Sequence, residues 1–378
     1  MIFVGIGVLL AVAYLLIIGI YLYYWNQLPE WFVPKNFIPH TKVSVIIPAR
    51  NEADNILSCI YSILNQNYPS NLLEIIVIDD FSTDNTAELV RSLNQVNVKL
   101  IQLKDVIVDE NLTSYKKKAL EIAISKSNGD FILTTDADCI TPSDWLVLMT
   151  SFYEEHQYKF IAAPVIFYNE SSLFQRFQSL DFMGMMGVSG AGVQGQFMNM
   201  CNGANLGYEK EAFYQVGGFT GIDHLASGDD MLLMQKMSAQ FPNGVGYLKN
   251  KNAVKTKAKS TFLGFYNQRI RWASKSGVYP EKKITLILGV VFLWSWYLFL
   301  GLPILYFFPN GILWYSGFFL TKLIADFIFL KKMSLYFEKQ ALMYSFFPSF
   351  ILHLIYIIII GTLSQLTKEY EWKGRKTT

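Results

Sequence analysis

Charge is what this sequence has least of. Lys, Arg, Asp and Glu make up 16% of its 378 residues, against about 25% in an average soluble domain. The deficit is uneven, because residues 1–41 contribute only Glu30 and Lys35, residues 284–378 contribute 12, and Lys42 to Lys283 holds the other 48 of 62. With 52% hydrophobic residues, neither a disordered chain nor one that is water-soluble along its whole length fits. Cysteine is scarce too. Cys59, Cys139 and Cys201 are odd in number, far apart and not at zinc spacing, so neither a disulfide framework nor a structural metal site is indicated, and a reducing cytoplasm suits the chain. A strong net charge is also missing: +2 supplies no field for nucleic acid, and no basic stripe accompanies a reading motif.

What is present is an ordinary charged domain framed by two apolar flanks. Residues 1–25 are uncharged and close on Tyr21, Tyr23, Tyr24 and Trp25, the length and aromatic edge of a membrane-spanning helix. No basic segment precedes this run and no small-residue cleavage site follows it, unlike a cleaved signal. Residues 26–41 read as a linker broken by Pro29, Pro34 and Pro39, and Lys35 and Lys42 place the following domain, 42–257, in the cytoplasm. Residues 258–283 read as an amphipathic helix at the membrane face, with Phe262, Phe265, Tyr266, Ile270 and Trp272 among Lys257, Lys259, Arg269, Arg271 and Lys275. Within 284–366 the stretches 284–308, 311–330 and 342–366 are each long enough to cross a bilayer. Lys322 and Asp326, four apart, can pair on one helix face, although Lys322 can also snorkel. Three crossings would put Lys368, Lys373, Arg375 and Lys376 of the polar tail 367–378 outside, against the positive-inside tendency. That conflict calls for two to three crossing helices, with one stretch re-entrant or interfacial, and Pro348 points to the last.

From Lys42 onward short β-branched runs alternate with helical stretches: KVSVIIPA, a helix through Leu64, LEIIVIDD, a helix from Asp84, VKLIQL, then FILTTDAD. This is the rhythm of an α/β fold with a mostly parallel sheet, in which ligands collect at the carboxyl ends of strands. Those ends carry acids. Asp79 and Asp80 close one strand before Ser82, Thr83 and Asp84 at a helix start, an arrangement that can hold a ribose or base edge or simply cap a helix. Asp136 and Asp138 lie on one side of an extended segment and offer hard oxygen ligands for Mg²⁺ or Mn²⁺. Asp229 and Asp230 open the apolar run MLLMQKM, where a helix dipole favours acids and where one of the pair can serve as general base while the other anchors the loop. Gln268, Arg271 and Trp272 share a helix face, pairing a cation with a flat apolar surface; a plain membrane-surface helix would carry the same residues.

Together and in this order, these segments closely resemble the inverting family 2 glycosyltransferases of the GT-A fold, above all the membrane branch with cellulose, chitin and hyaluronan synthases and ceramide glucosyltransferase. The resemblance covers about Lys42 to Trp272. It implies a nucleotide pocket at Pro48, Ala49, Arg50, Glu52, Asp79 and Asp80, a metal and diphosphate site at Asp136 and Asp138, and a base at Asp230. Arg271 and Trp272 match the family's Q-x-x-R-W signature, Lys116 or Lys118 of KKKAL is implied to approach the nucleotide, and Gly203, Ala204 and Asn205 of CNGAN resemble the donor-sugar segment. Tyr115 stands where the family often has glycine, and Asp229 where its acidic pair usually has glutamate.

The expected protein is therefore a multi-pass cell-membrane enzyme with a cytoplasmic GT-A domain flanked by transmembrane helices. It would move a sugar from a nucleotide-diphospho-sugar to a hydroxyl acceptor, a lipid or lipid-linked glycan, with Mg²⁺ or Mn²⁺ as cofactor and membrane lipids, not nucleic acid, as surroundings. A processive polysaccharide synthase is the alternative enzyme, and a catalytically silent membrane scaffold or transport protein the alternative of another class.

Overall fold

The computed structural model describes residues 2–107, 114–274, 279–366, 370–373 and 375–377, so Lys275 and Lys368, two of the cations noted above, lie outside the described residues. The chain forms two units. One, helical, comprises Met1–Leu28, Asn169–Met198 and Ala258–Tyr370; the other, built on a sheet, comprises Pro29–Tyr168, Asn199–Lys257 and Glu371–Thr378.

In chain order, α1 (Ile2–Gln27) is followed by β1 (Val43–Ala49), α2 (Ile56–Leu64), β2 (Leu73–Asp79), α3 (Thr86–Ser92), β3 (Val98–Gln102), α4 (Tyr115–Ser125), β4 (Phe131–Thr134), α5 (Trp145–His156), β5 (Phe160–Ala162) and β6 (Val165–Phe167). Then come α6 (Leu173–Gln194), β7 (Leu206–Glu209), α7 (Lys210–Gln215), α8 (Met231–Gln240), β8 (Val245–Tyr247), β9 (Val254–Thr256), α9 (Phe262–Ala273), α10 (Lys282–Tyr306), α11 (Gly311–Tyr336), α12 (Phe346–Leu366) and the tail strands β10 (Tyr370–Trp372) and β11 (Arg375–Thr377).

Among the described residues, the sheet unit is built on a seven-stranded sheet in the order β3-β2-β1-β4-β7-β5-β8, with β6 and β9 forming a separate parallel pair. Strands β1 to β4 are mutually parallel and β8 is parallel to β5, while β7 runs against both β4 and β5. A mostly parallel sheet must be covered on both faces. Accordingly, six of the seven β1 residues are buried. Pro48 is tolerated in this central strand because β4 pairs only with Val43–Ile46, leaving Pro48 past the end of that ladder, where its missing N–H breaks nothing. In β7, a Cβ at Gly207 would stand 2.4 Å from the ring of Phe131, so glycine lets this strand pair beneath a large side chain. The helix expected from Asp84 begins at Thr86, because the Asp84 carboxylate accepts from the Thr86 amide at 3.0 Å and stays outside the helix. The run FILTTDAD is a strand only to Thr134, which frees the D-A-D segment from the ladder.

The helical unit takes in α6, which lies inside the stretch 42–257 read as one domain. Its MGMMGVSGAG stretch explains the placement: a Cβ at Gly187 would meet the Met333 sulfur at 2.3 Å, so small residues let α6 approach α11. Helix α9 covers Phe262–Ala273 of the amphipathic helix expected over 258–283, capped by Thr261, whose hydroxyl accepts from the Gly264 amide at 3.1 Å. Arg269 does not lie on its polar face. It is 1% exposed, 2.8 Å from Asp181 of α6 and stacked over Trp272, Phe265 and Tyr356. Helices α1, α10, α11 and the segment Gln340–Leu366 are each long and apolar enough to cross a membrane.

A polar trio sits among them. Lys322 is fully buried, its ammonium 2.6 Å from Asp326 and 3.1 Å from the Tyr14 hydroxyl, which in turn donates to Asp326. The expected i, i+4 pair therefore forms, with no exposed ammonium to snorkel. Removing one partner of such a pair strands the other's charge, which costs about 3–5 kcal/mol, whereas replacing both with apolar groups is close to neutral. Lys322→Met should accordingly lower the unfolding midpoint in detergent sharply, and Lys322→Met with Asp326→Leu should recover most of it.

Candidate active site

Strands β1, β2 and β4 end at one edge of the sheet, with Ala49 paired to Asp79 and Ile46 to Thr134. Two loops leave that edge and are stitched to each other. The Asn51 amide donates to the Ser82 hydroxyl at 3.0 Å, the Glu52 amide to Thr86 Oγ1 at 2.8 Å, the Ala53 amide to Asp84 at 3.1 Å, and the Thr83 amide to Asn51 Oδ1 at 2.8 Å. Arg50 locks the pair by donating to the carbonyls of Asp80 and Phe81 at 2.7 and 3.1 Å. Both loops hold a non-glycine residue in the left-handed region, Asn51 at φ 51° and Phe81 at φ 52°, a strain that recurs where a loop is shaped for a ligand. Pro48, Ala49, Arg50, Glu52, Asp79 and Asp80 are thus gathered at one strand edge. Asp79 is 1% exposed, and while its Oδ2 accepts from Gln102 at 3.4 Å, its Oδ1 is buried without a partner among the described residues.

The acids meet around one ammonium. Lys116 Nζ, in the first turn of α4, is 3.1 Å from Asp136 Oδ1 and 3.1 Å from Asp229 Oδ2. The two acidic motifs, separated in sequence by about ninety residues, therefore converge on this lysine. Of the two lysines singled out in KKKAL, Lys118 points elsewhere and pairs with Glu121 on its own helix at 3.0 Å. Asp136 is half-buried and its backbone carbonyl accepts from the Cys139 amide at 3.0 Å and from the Cys59 thiol at 3.6 Å, so the D-A-D turn is fixed from below. Burial, then Asp138 and Asp136, push both the Cys59 and Cys139 thiols well above their ordinary range. The carboxylates of Asp136 and Asp138 are the hard oxygen donors that suit a divalent cation at this corner.

Gly228, at φ 84°, turns the chain so that Asp229 and Asp230 enter α8. Asp230 caps that helix: Oδ1 accepts from the Met231 amide at 2.7 Å and Oδ2 from the Gly203 amide at 3.1 Å. The CNGAN segment is thereby tied to the acidic pair. Ala204 is buried and donates to Asn202, while Asn205 spends its amide on Trp145 Nε1 at 2.8 Å and the Pro164 carbonyl at 2.9 Å, a brace within the core. Gln268, Arg271 and Trp272 belong to α9 in the helical unit, where Trp272 stacks on Phe182 with ring centroids 5.8 Å apart.

Sequence reasoning missed Lys117. It is 1% exposed, and its ammonium donates to the carbonyls of Ile222 and Ser227 at 2.8 Å each and also to Leu225. This clasp fixes the loop that delivers Asp229 and Asp230. A signal was available: three lysines open α4, where the helix dipole disfavours cations, so tertiary partners had to hold them.

Residues 131–363, more than half of the chain, match the model of glycosyl transferase family group 2, and residues 44–217 match that of glycosyl transferase family 2. Glycosyltransferase AglE of Haloferax volcanii is 30% identical over 191 residues, which cover 50% of this chain and 59% of that protein. A hyaluronan synthase of Streptococcus pyogenes is 30% identical over 207 residues, 52% of this chain and 48% of that one. The chain thus spans about half the length of these curated relatives. The solved structure of mannosyltransferase PcManGT from Pyrobaculum calidifontis, in complex with GDP-Man and Mn²⁺, is similar at a TM-score of 0.58 and 20% identity over 91% of this chain and 97% of that one, a likeness of fold.

Two outcomes follow from this geometry. Lys117→Met leaves three carbonyls without their shared cation, at about 1–3 kcal/mol for each group left buried and unpaired, so limited proteolysis should cut within 222–227 far faster than in the unaltered chain. The second concerns pH. Burial pushes the Asp84 carboxyl up, but hydrogen bonds from Thr86 and Ala53 outweigh it and hold the group below its ordinary value. The stitch it makes is complete above the ordinary aspartate pKa of about 3.9 and is lost as pH falls through the lower folded value. Hydrogen exchange at the Ala53 and Thr86 amides should speed up on acidification through that window in the unaltered chain relative to Asp84→Asn, whose uncharged side chain has no proton to gain.

Proposed function

The chain belongs to the family 2 glycosyltransferases, and we propose that it is a membrane-bound inverting enzyme that moves a sugar from a nucleoside-diphospho-sugar to a hydroxyl acceptor, a lipid or lipid-linked glycan. The observation that carries this reading is the convergence of Asp136, Lys116 and Asp229. A cluster of carboxylates around one cation at the carboxyl end of a parallel sheet is a place to bind and polarise a phosphate-bearing ligand. The unpartnered Asp79 Oδ1 supports a nucleoside beside it, since a base N–H or a ribose hydroxyl would satisfy this buried acceptor.

Asp138 and Asp136 would hold Mg²⁺ or Mn²⁺. Two carboxylates fit these ions, which keep waters and take substrate phosphate oxygens for their other positions. Bound there, the ion would neutralise charge on the departing diphosphate. The chain's own residues do the rest. Lys116 adds a positive charge beside the diphosphate, Arg50 holds the loop that frames the nucleoside, and Asp230, fixed by its two backbone contacts, accepts the proton of the acceptor hydroxyl. As that oxygen bonds to the anomeric carbon from one face, the bond to the diphosphate oxygen breaks on the other, the proton passes to Asp230, and the configuration inverts. By their motif, Gln268, Arg271 and Trp272 also serve this reaction, Arg271 as a positive charge and Trp272 as a flat apolar surface. Lys35 and Lys42, which follow α1, favour a cytoplasmic sheet unit.

The test is nucleoside diphosphate release from a panel of nucleotide sugars, using the full chain in membranes or detergent. Turnover should vanish in chelator and return with Mg²⁺ or Mn²⁺, and Asp138→Asn should lose it while remaining folded. Asp230→Asn should keep donor affinity within a few fold and lower the rate by about 10² or more. Full turnover in chelator rules out the metal, and near-normal turnover in Asp230→Asn reduces that residue to a helix cap.

A further inference from the structure

The tail strands meet at Lys373, which stands at φ 48° and reaches into the sheet unit. Its ammonium donates to the Arg50 carbonyl at 2.6 Å and pairs with Glu52, and its own carbonyl accepts from Arg50 Nε at 3.2 Å. We infer that this tail is a strap seated at the end of β1, and that α12 consequently lies within the bilayer without crossing it, so that the C-terminus returns to the side that holds the sheet unit.

Parity demands an even number of crossings between Lys257 and Lys373. Between Lys257 and Lys282 the described residues contain only α9, whose 12 residues are too few to cross. Helices α10 and α11 follow, joined by the uncharged link 307–310. Lys282 and Lys283 open α10, and Lys331, Lys332 and Lys339 lie at the end of α11, so the basic residues gather at the same end of this hairpin, as expected for two crossings. A third crossing by α12 would carry Lys373 away from Glu52.

The contacts of α12 agree. Near its start Phe346 packs on Phe327, nine residues before the α11 terminus at Tyr336, a depth of about 14 Å at 1.5 Å per residue. Near its end Gly361 abuts Phe292, ten residues into α10 from Lys282, a depth of about 15 Å. Between them Phe350 reaches Phe319, deeper along α11, and His353 and Tyr356 turn to the Asp181 and Arg269 pair of α6 and α9. Both ends of α12 thus stand at one depth, the geometry of an oblique or re-entrant helix. Buried Ser349 and half-buried His353 suit a helix with one polar side against protein.

This inference rests on the membrane-bound reading proposed above, with α10 and α11 taken as spans, and the test separates the two. In the full chain with Cys201→Ser, single cysteines at Lys283, Phe307 and Thr377 are exposed in intact cells to a membrane-impermeant maleimide, Cys59 and Cys139 being buried. Phe307→Cys should label on the side opposite Lys283→Cys, and Thr377→Cys should behave as Lys283→Cys does. If Thr377→Cys labels with Phe307→Cys, α12 crosses and the inference falls. If Lys283→Cys and Phe307→Cys label together, the spanning reading itself fails and takes the parity argument with it. A carbodiimide, which joins carboxylate to amine with loss of water, should yield a Glu52–Lys373 cross-linked peptide from the unaltered chain and none from Lys373→Arg. Absence of that peptide from the unaltered chain overturns the strap.

Discussion

One ammonium group holds the acidic corner together. Lys116 stands between carboxylates of the β4 edge and of the α8 entrance, 3.1 Å from each. Without it, Asp136 and Asp229 would face each other as like charges with no cation between them to offset the repulsion. The three lysines that open α4 are successive steps of about 100° around the helix, and each step meets a different environment. Lys116 meets the acids, Lys117 the carbonyls of the loop before Asp229, and Lys118 solvent and Glu121. Two consecutive side chains of one helical turn therefore fix both the charge balance of the corner and the path of the loop that supplies half of it. Any displacement of α4 would disturb both at once.

The helical unit applies the same rule in a drier setting. Lys322 with Asp326 and Tyr14, and Arg269 with Asp181, are ion pairs with almost no exposed surface on the cation. A buried charge is tolerable only when paired, and its partner then fixes the geometry of the helices that carry the two. Lys322 and Asp326 share α11, so their pair commits that helix to Tyr14 of α1 through the shared hydroxyl. Arg269 and Asp181 lie on different helices and tie α9 directly to α6. The second tie matters for the Q-x-x-R-W segment, because Arg269 stacks on Trp272 and so fixes the face of α9 on which the tryptophan sits.

What was legible in the sequence follows the range of the interactions. The parallel strands β1 to β4 were readable because each is a continuous apolar run bounded by turn residues, and their acids marked the edge where the proposed site lies. The reversed strand β7 was not, since its direction depends on pairing with β4 and β5, whose paired residues lie 72–78 and 44–48 positions away in the chain. Arg269 read as a surface cation because helical periodicity shows which face a residue occupies, not what lies opposite it. Lys117 and Lys373 escaped for the same reason, their partners being 105 and 321 residues distant. The membrane conflict raised by the basic tail was visible from charge alone. Its resolution needed the contact at Glu52.

The cap and the base at Asp230 are compatible readings. A carboxylate has about four lone-pair positions on its two oxygens, and the amides of Met231 and Gly203 use one on each. The two backbone bonds hold the side chain in one orientation, which is what a proton acceptor needs if it is to meet its partner without reorganising. The Gly203 contact adds a constraint of its own. It ties the acid to the segment that precedes β7, and the Gly203 carbonyl accepts in turn from Thr134 at the end of β4 at 3.1 Å. The contacts thus run from the acid through the backbone of one residue to the strand that leads into Asp136 and Asp138. The position of Asp230 relative to Asp136 and Asp138 is set by backbone and sheet, the least compliant parts of the molecule, and not by side chains alone.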